Sequence, residues 1–119
     1  MTIFPAPRFT AAALSRALGL PHDPTAEQAA IIEAPLESML VIAGAGSGKT
    51  ETMAARVVWL VANEFVAPEE VLGLTFTRKA AGELAERITS RLRTLSRLNG
   101  GRPAKAARRF AWSGCLAWV

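Results

Sequence analysis

Ala43-Gly44-Ala45-Gly46-Ser47-Gly48-Lys49-Thr50 is the run whose residue types and spacing can do chemistry. Three alternating glycines let a backbone turn tightly and bring its N–H groups close to an anion. Lys49 adds a full positive charge for terminal phosphates. The Thr50 hydroxyl is a hard oxygen ligand of the kind a magnesium ion takes. A helix starting at this point would add the partial positive charge of its N-terminus. The chemistry implied is the grip on a nucleotide triphosphate and its metal. One departure from the strict pattern is Ala43 where a first glycine is usual, at a position that needs no unusual backbone angle. A glycine-rich turn that binds nothing is the plain alternative, and Lys-Thr after three spaced glycines argues against it.

Such a loop works only between a strand and a helix. Ser38 to Ala43, apolar from Met39 to Ile42, reads as a buried parallel strand. Met53 to Val61 reads as a helix apolar nearly all round, continuing to about Asn63. Ala67-Pro68-Glu69-Glu70 is a turn, and Val71 to Phe76 a second strand-like run. The expected fold is therefore α/β, with a right-handed parallel βαβ core. Two helices are expected before it. Thr10 caps Thr10 to Leu18 and Gly19 stops it. Thr25 to Glu33 opens on a capping box, with Gln28 reaching back to Thr25, and Pro35 ends it. Arg78 to about Leu98 is a long helix in which Ala81, Leu84, Ile88, Leu92 and Leu95 form one apolar stripe. Arg87 and Arg91 lie off that stripe, one turn apart.

The chain has 119 residues and is 50% hydrophobic, enough for one small core and too apolar for disorder. Its single cysteine, Cys115, rules out an internal disulfide. No signal peptide is visible at the start, and no run is long and apolar enough to span a bilayer. The cytoplasm and no membrane partner are the expectation. The net charge of +4 is unevenly spread. Through Glu70 there are four basic residues against eight acidic; from Val71 there are ten against two, Glu83 and Glu86. The basic second half fits a polyanion partner such as nucleic acid, or else a solvated helix face with a loose tail. After Asn99-Gly100-Gly101 the chain is basic and then apolar, with no acid. Arg108, Arg109, Phe110 and Trp112 in this tail would bind nucleic acid by charge and stacking, or form an unpacked end. The organisation expected is a lead-in and helix over 1–24, an ATP-binding region over 25–98 and an irregular tail over 99–119, truncated or altered.

Three segments combine into a family pattern: Thr25-Ala26-Glu27-Gln28, the glycine loop, and Leu74-Thr75-Phe76-Thr77-Arg78-Lys79-Ala80-Ala81-Gly82-Glu83-Leu84. Together they resemble the N-terminal part of the first RecA-like domain of UvrD/Rep-like superfamily one DNA helicases. The resemblance covers roughly Leu20 to Leu92, and the third segment separates this group from other phosphate-loop proteins. The wording of the loop and third segment looks most like long actinobacterial members. The resemblance implies ATP and Mg²⁺ as cofactors, single-stranded DNA as partner, 3′ to 5′ unwinding, and a role in repair or recombination. It implies that Gln28 reads the adenine edge, unless the capping box takes that side chain. Ala43 to Thr50 would hold the nucleotide, with Lys49 and Thr50 in the catalytic set and Thr50 on the metal. Thr75, Phe76, Thr77, Arg78 and Lys79 would contact DNA. Phe76 would stack on a base, or else be a core aromatic. Some members carry Arg after the loop's Thr, packed on the adenine; here Glu51 stands there, which bears on base selection.

Turnover needs more than this. No apolar run after Thr50 ends in a magnesium-holding acid, and the only aspartate, Asp23, precedes the loop. The arginines that complete phosphoryl transfer in this family come from a second RecA-like lobe, which this chain does not contain. An arginine finger is worth roughly 10³–10⁵ in rate. The resemblance therefore implies an ATP-hydrolysing helicase by family, with this chain as its N-terminal part. A non-catalytic nucleotide- and DNA-binding remnant is the alternative. A small phosphate-loop kinase is disfavoured by the Thr75–Lys79 segment.

Overall fold

A computed structural model describes residues 6–44, 46 and 48–98. The tail expected over 99–119, and Ala45 and Ser47 of the loop, lie outside the described residues. Four helices make up the architecture: α1 (Ala11–Ala17), α2 (Ala26–Ile32), α3 (Lys49–Ala62) and α4 (Arg78–Leu98). A 3₁₀ turn, Pro68–Glu70, lies between the last two.

Local chemistry accounts for the helix ends. Thr10 caps α1 by accepting from the Ala13 N–H at 3.1 Å. Gly19, at φ +69°, ends it in a conformation that suits glycine. At α2 the Thr25 hydroxyl accepts from the Gln28 N–H, while Gln28 Oε1 accepts from the Thr25 N–H. Both arms of the capping box are made. Thr77 caps α4, its hydroxyl accepting from the Ala80 N–H at 3.1 Å.

The core lies between α3 and the other three helices. Ala54, Val58 and Trp59 of α3 are wholly buried. Leu84, Ile88, Leu92 and Leu95 of the α4 stripe are buried with them, as are Ala11, Leu14 and Ile32 of α1 and α2. Trp59 also serves as a polar anchor: its Nε1 donates to the Phe9 carbonyl at 2.8 Å. Asn63 Oδ1 accepts from the Phe9 N–H at 2.9 Å, and Asn63 Nδ2 donates to the Trp59 carbonyl. The segment before α1 is thereby fastened to the end of α3. Glu33 fastens α1 to α2 by accepting from the Ala11 N–H, an otherwise unmatched donor of the first helical turn, at 2.7 Å.

The expected α/β fold with a parallel βαβ core is not what forms: the described residues are helical and contain no strand. Neither expected strand, Ser38 to Ala43 or Val71 to Phe76, enters a ladder, and most of their apolar side chains are open to solvent. Leu40 and Ile42 are 85% and 89% exposed, and Leu72, Leu74 and Phe76 are 75%, 64% and 91% exposed. The physical reason is that a helix satisfies its backbone within itself, whereas a strand depends on a neighbour. An apolar run marks burial potential without supplying that neighbour, and two short strands alone are marginal even when paired.

Candidate functional site

The backbone enters α3 through left-handed conformations at Gly46 and Gly48. Gly46 and Gly48 have φ of +76° and +78°, and a side chain at either would be strained. Gly48 is the N-cap of α3 and supplies no side-chain hydrogen bond to the helix. This 14-residue helix therefore starts without a cap from its own N-cap residue, with the helix dipole behind its first turn. Lys49 and Thr50 begin the helix and are exposed. Gly46 and Gly44 have open space where a Cβ would point. Ala43 is half-buried, and Gly44 and Gly46 are exposed. An exposed cation, an exposed hydroxyl and a helix N-terminus without an N-cap side chain fit a phosphate group with its metal ion.

The fold brings Gln28 to this loop. Gln28 Nε2 lies 2.9 Å from the position that a Cβ on Gly48 would occupy. The capping box uses the other end of the amide, Oε1.

Gln28 also lines a cavity of about 580 Å³ between α1, the following turn, and the facing sides of α3 and α4. Its wall is apolar at Leu14, Leu18, Leu20, Pro21, Ile32 and Val58, and polar at Gln28, Glu51, Arg87 and Arg91. Glu51 and the two arginines form one ionic cluster. Arg87 Nη1 donates to Glu51 Oε2 at 3.2 Å, and Arg91 Nη2 donates to Glu51 Oε1 at 2.5 Å. The Arg91 side chain is only 12% exposed. Glu51 sits in the first turn of α3, where a carboxylate suits the helix dipole. The charge reversal at Glu51 is thus answered from α4. That Arg87 and Arg91 stand off the apolar stripe was legible in the sequence; their partner, 36 and 40 residues away in the chain, was not.

Arg56 is a residue whose role the sequence did not disclose. Its guanidinium reaches across from α3 to the end of α2, where it donates to backbone carbonyls. Burial holds its pKa below the usual arginine value.

The expected nucleic-acid segment occupies the entry to α4. Thr75 is half-buried, while Phe76, Thr77, Arg78 and Lys79 are exposed. Phe76 lies outside the core formed by the described residues. The Thr75 hydroxyl donates to the Thr77 carbonyl at 2.8 Å, which shapes the turn that presents Phe76. Arg78 and Lys79 stand in the first turn of α4, where the helix dipole opposes cations. Among the described residues, no hydrogen bond or ion pair joins this segment to Lys49 or Thr50. The link between the two regions is the Glu51 cluster between α3 and α4.

Residues 24–110 match the family model described as UvrD/REP helicase N-terminal domain. DNA helicase IV of Escherichia coli (strain K12) is 56% identical over 57 residues, 48% of this chain and 8% of that protein. ATP-dependent DNA helicase PcrA of Bacillus subtilis (strain 168) is 50% identical over 52 residues, 44% of this chain and 7% of that protein. ATP-dependent DNA helicase UvrD1 of Mycobacterium leprae (strain TN) is 42% identical over 66 residues, 56% of this chain and 8% of that protein. The matched stretch is thus a small part of each relative's length. Among the described residues no helix is long and apolar enough to cross a membrane. With the loop, the Gln28 contact and the α4 entry in place, the family match is decisive: this chain belongs to the UvrD/REP helicase N-terminal domain family.

Proposed function

We propose that this chain is the nucleotide-binding N-terminal part of an ATP-dependent DNA helicase that acts in DNA repair or recombination. It takes ATP with Mg²⁺ at residues 43–50 and single-stranded DNA at Thr75 to Lys79. The observation that supports this reading is the start of α3, where Gly48, approached by Gln28, gives no side-chain cap and is followed by exposed Lys49 and Thr50. Lys49 would neutralise phosphate charge, and the first-turn N–H groups would donate to phosphate oxygens. The Thr50 hydroxyl would be a ligand of the metal, which when bound spreads the negative charge of the phosphates. Gln28, with its amide against the loop, would meet the base edge. At the other end of the chain's working surface, Phe76 offers a stacking face, and Arg78 and Lys79 offer charge to the DNA backbone.

A second reading, a binding module without turnover, is favoured by the acids. Glu51 is taken by two arginines, and Glu69 and Glu70 lie in the exposed 3₁₀ turn. With Glu51 engaged and Glu69 and Glu70 solvated, none of these three is held to orient an attacking water. Steady-state ATP hydrolysis with and without single-stranded DNA, beside equilibrium binding of a fluorescent ATP analogue, tests both. Binding that falls with Lys49→Ala, and negligible turnover by the 119-residue chain, is the expected result. DNA-stimulated turnover abolished by Lys49→Ala would reject the second reading, and analogue affinity unchanged by Lys49→Ala would reject the site.

A further inference from the structure

Arg56 makes an unusual set of bonds for a helix-surface arginine. Nη1 lies 2.9 Å from the Ile31 carbonyl, 3.1 Å from that of Ile32 and 2.8 Å from that of Ala34. Nη2 lies 3.2 Å from the Pro35 carbonyl. No carboxylate takes part in these bonds. The carbonyls of Ile31 and Ile32 are at the C-terminal end of α2, where the dipole favours a cation, and that of Ile31 also accepts from the Ala34 N–H at 3.4 Å. Ala34 and Pro35 belong to the turn that leads onward to the phosphate loop. One planar guanidinium therefore ties α3 to both the end of α2 and the exit from it. A lysine, with a point charge and no fixed fork, cannot span the same four acceptors.

Gln28 lies three and four residues before Ile31 and Ile32, one turn back along α2. The N-terminus of α3, five to eight residues before Arg56, carries Gly48 to Glu51. The gap that separates Gln28 from the loop is at contact distance, 2.9 Å to a Cβ position on Gly48. Ile32 in the core and Ala29 packed against it already hold α2 near α3, and Arg56 adds to that apolar contact a directional restraint at the end of the helix.

We propose that Arg56 is a positioning residue for base recognition: by clamping the carbonyls of Ile31, Ile32, Ala34 and Pro35, it sets where Gln28 stands relative to the phosphate loop, without touching the nucleotide. The inference rests on the nucleotide-site reading above and adds to it how the base-facing and phosphate-facing parts are held in register. It separates two ligand features. Phosphate grip depends on α3 and its loop, whereas base recognition depends on α2 through Arg56.

The experiment compares Mg·ATP with magnesium tripolyphosphate, which has the phosphates and no base. Both are measured by displacement of a fluorescent ATP analogue from wild type, Arg56→Met, Arg56→Lys, Gln28→Ala, the Gln28→Ala/Arg56→Met double variant and Lys49→Ala. Far-UV circular dichroism establishes that each variant is folded at the assay temperature. Arg56→Met is expected to weaken ATP about fivefold, the worth of one hydrogen bond. Tripolyphosphate should change by less than about twofold. In the Gln28→Ala background, Arg56→Met should add no further loss of ATP affinity. If Arg56→Met does not fold, Arg56→Lys takes its place in both comparisons, with an expected ATP loss of the same sign. Equal loss of ATP and tripolyphosphate, additive losses in the double variant, or no loss in a folded variant would overturn the positioning role. Failure of the underlying site reads differently: Lys49→Ala would then leave both ligands' displacement unchanged.

Discussion

Gln28 Nε2 stands 2.9 Å from where a Cβ of residue 48 would lie, so the identity of Gly48 and the placement of Gln28 are one constraint. Any side chain at position 48 meets the amide and must also adopt φ +78°. The capping box fixes the other end of the same amide through Oε1 on the Thr25 N–H. Gln28 is thus pinned from behind by its own helix and bounded in front by the loop.

Gly48→Ala is expected to destabilise the chain by about 1–2 kcal/mol from the left-handed backbone alone, and to weaken nucleotide binding by displacing Gln28. Adding Gln28→Ala should remove the collision and leave the backbone strain. Thermal melts of the single and double variants, beside nucleotide titrations, check this. A Gly48→Ala variant with unchanged melting and binding would contradict it.

Glu51→Ala should leave Arg91, which is 12% exposed, without its carboxylate. Arg91 Nη1 is already buried with no partner among the described residues, so the remaining charge is poorly accommodated. A loss of about 1–3 kcal/mol in urea unfolding is expected. Arg91→Met in the Glu51→Ala background should cost less than it does in wild type, because the two side chains act as a pair.

Trp59 is wholly buried, packs on Phe65 with ring centroids 5.3 Å apart, and holds the Phe9 carbonyl. Trp59→Phe keeps much of the ring and loses that hydrogen bond, at about 1 kcal/mol. Trp59→Ala leaves a cavity at a cost of about 3–5 kcal/mol, enough to unfold a chain with so small a core. Far-UV circular dichroism at 25 °C should separate a folded Phe variant from an unfolded Ala variant.

Phe76→Ala should weaken single-stranded DNA binding by about 1–3 kcal/mol, the worth of one base stack, and leave the melting temperature unchanged because the ring is 91% exposed. Arg78→Ala/Lys79→Ala should weaken binding across sequences. It should also flatten the slope of log affinity against log salt by about 1.4, two phosphates at about 0.7 each. Fluorescence anisotropy over a salt series measures both, and an unchanged slope would remove these cations from the interface.

What the sequence determined by itself was local. Thr10, Thr25 with Gln28, and Gly19 punctuate the helices through bonds spanning three residues, and the spacing of Leu84, Ile88, Leu92 and Leu95 defines a buried face by helical period alone. The glycine loop was expected from residue type and short spacing, whereas the role expected of Thr75–Lys79 came from the family resemblance. The strands were misread because an apolar run at Met39–Ile42 or Val71–Phe76 states a preference for burial, while a strand exists only when another segment completes its ladder. Only the tertiary structure decided which distant groups meet: Arg56 on the carbonyls of α2, Glu51 between Arg87 and Arg91, Asn63 and Trp59 on Phe9, and Gln28 against Gly48. Each of these joins groups more than about a dozen residues apart, and the distance between them is set by how the helices pack rather than by any spacing along the chain.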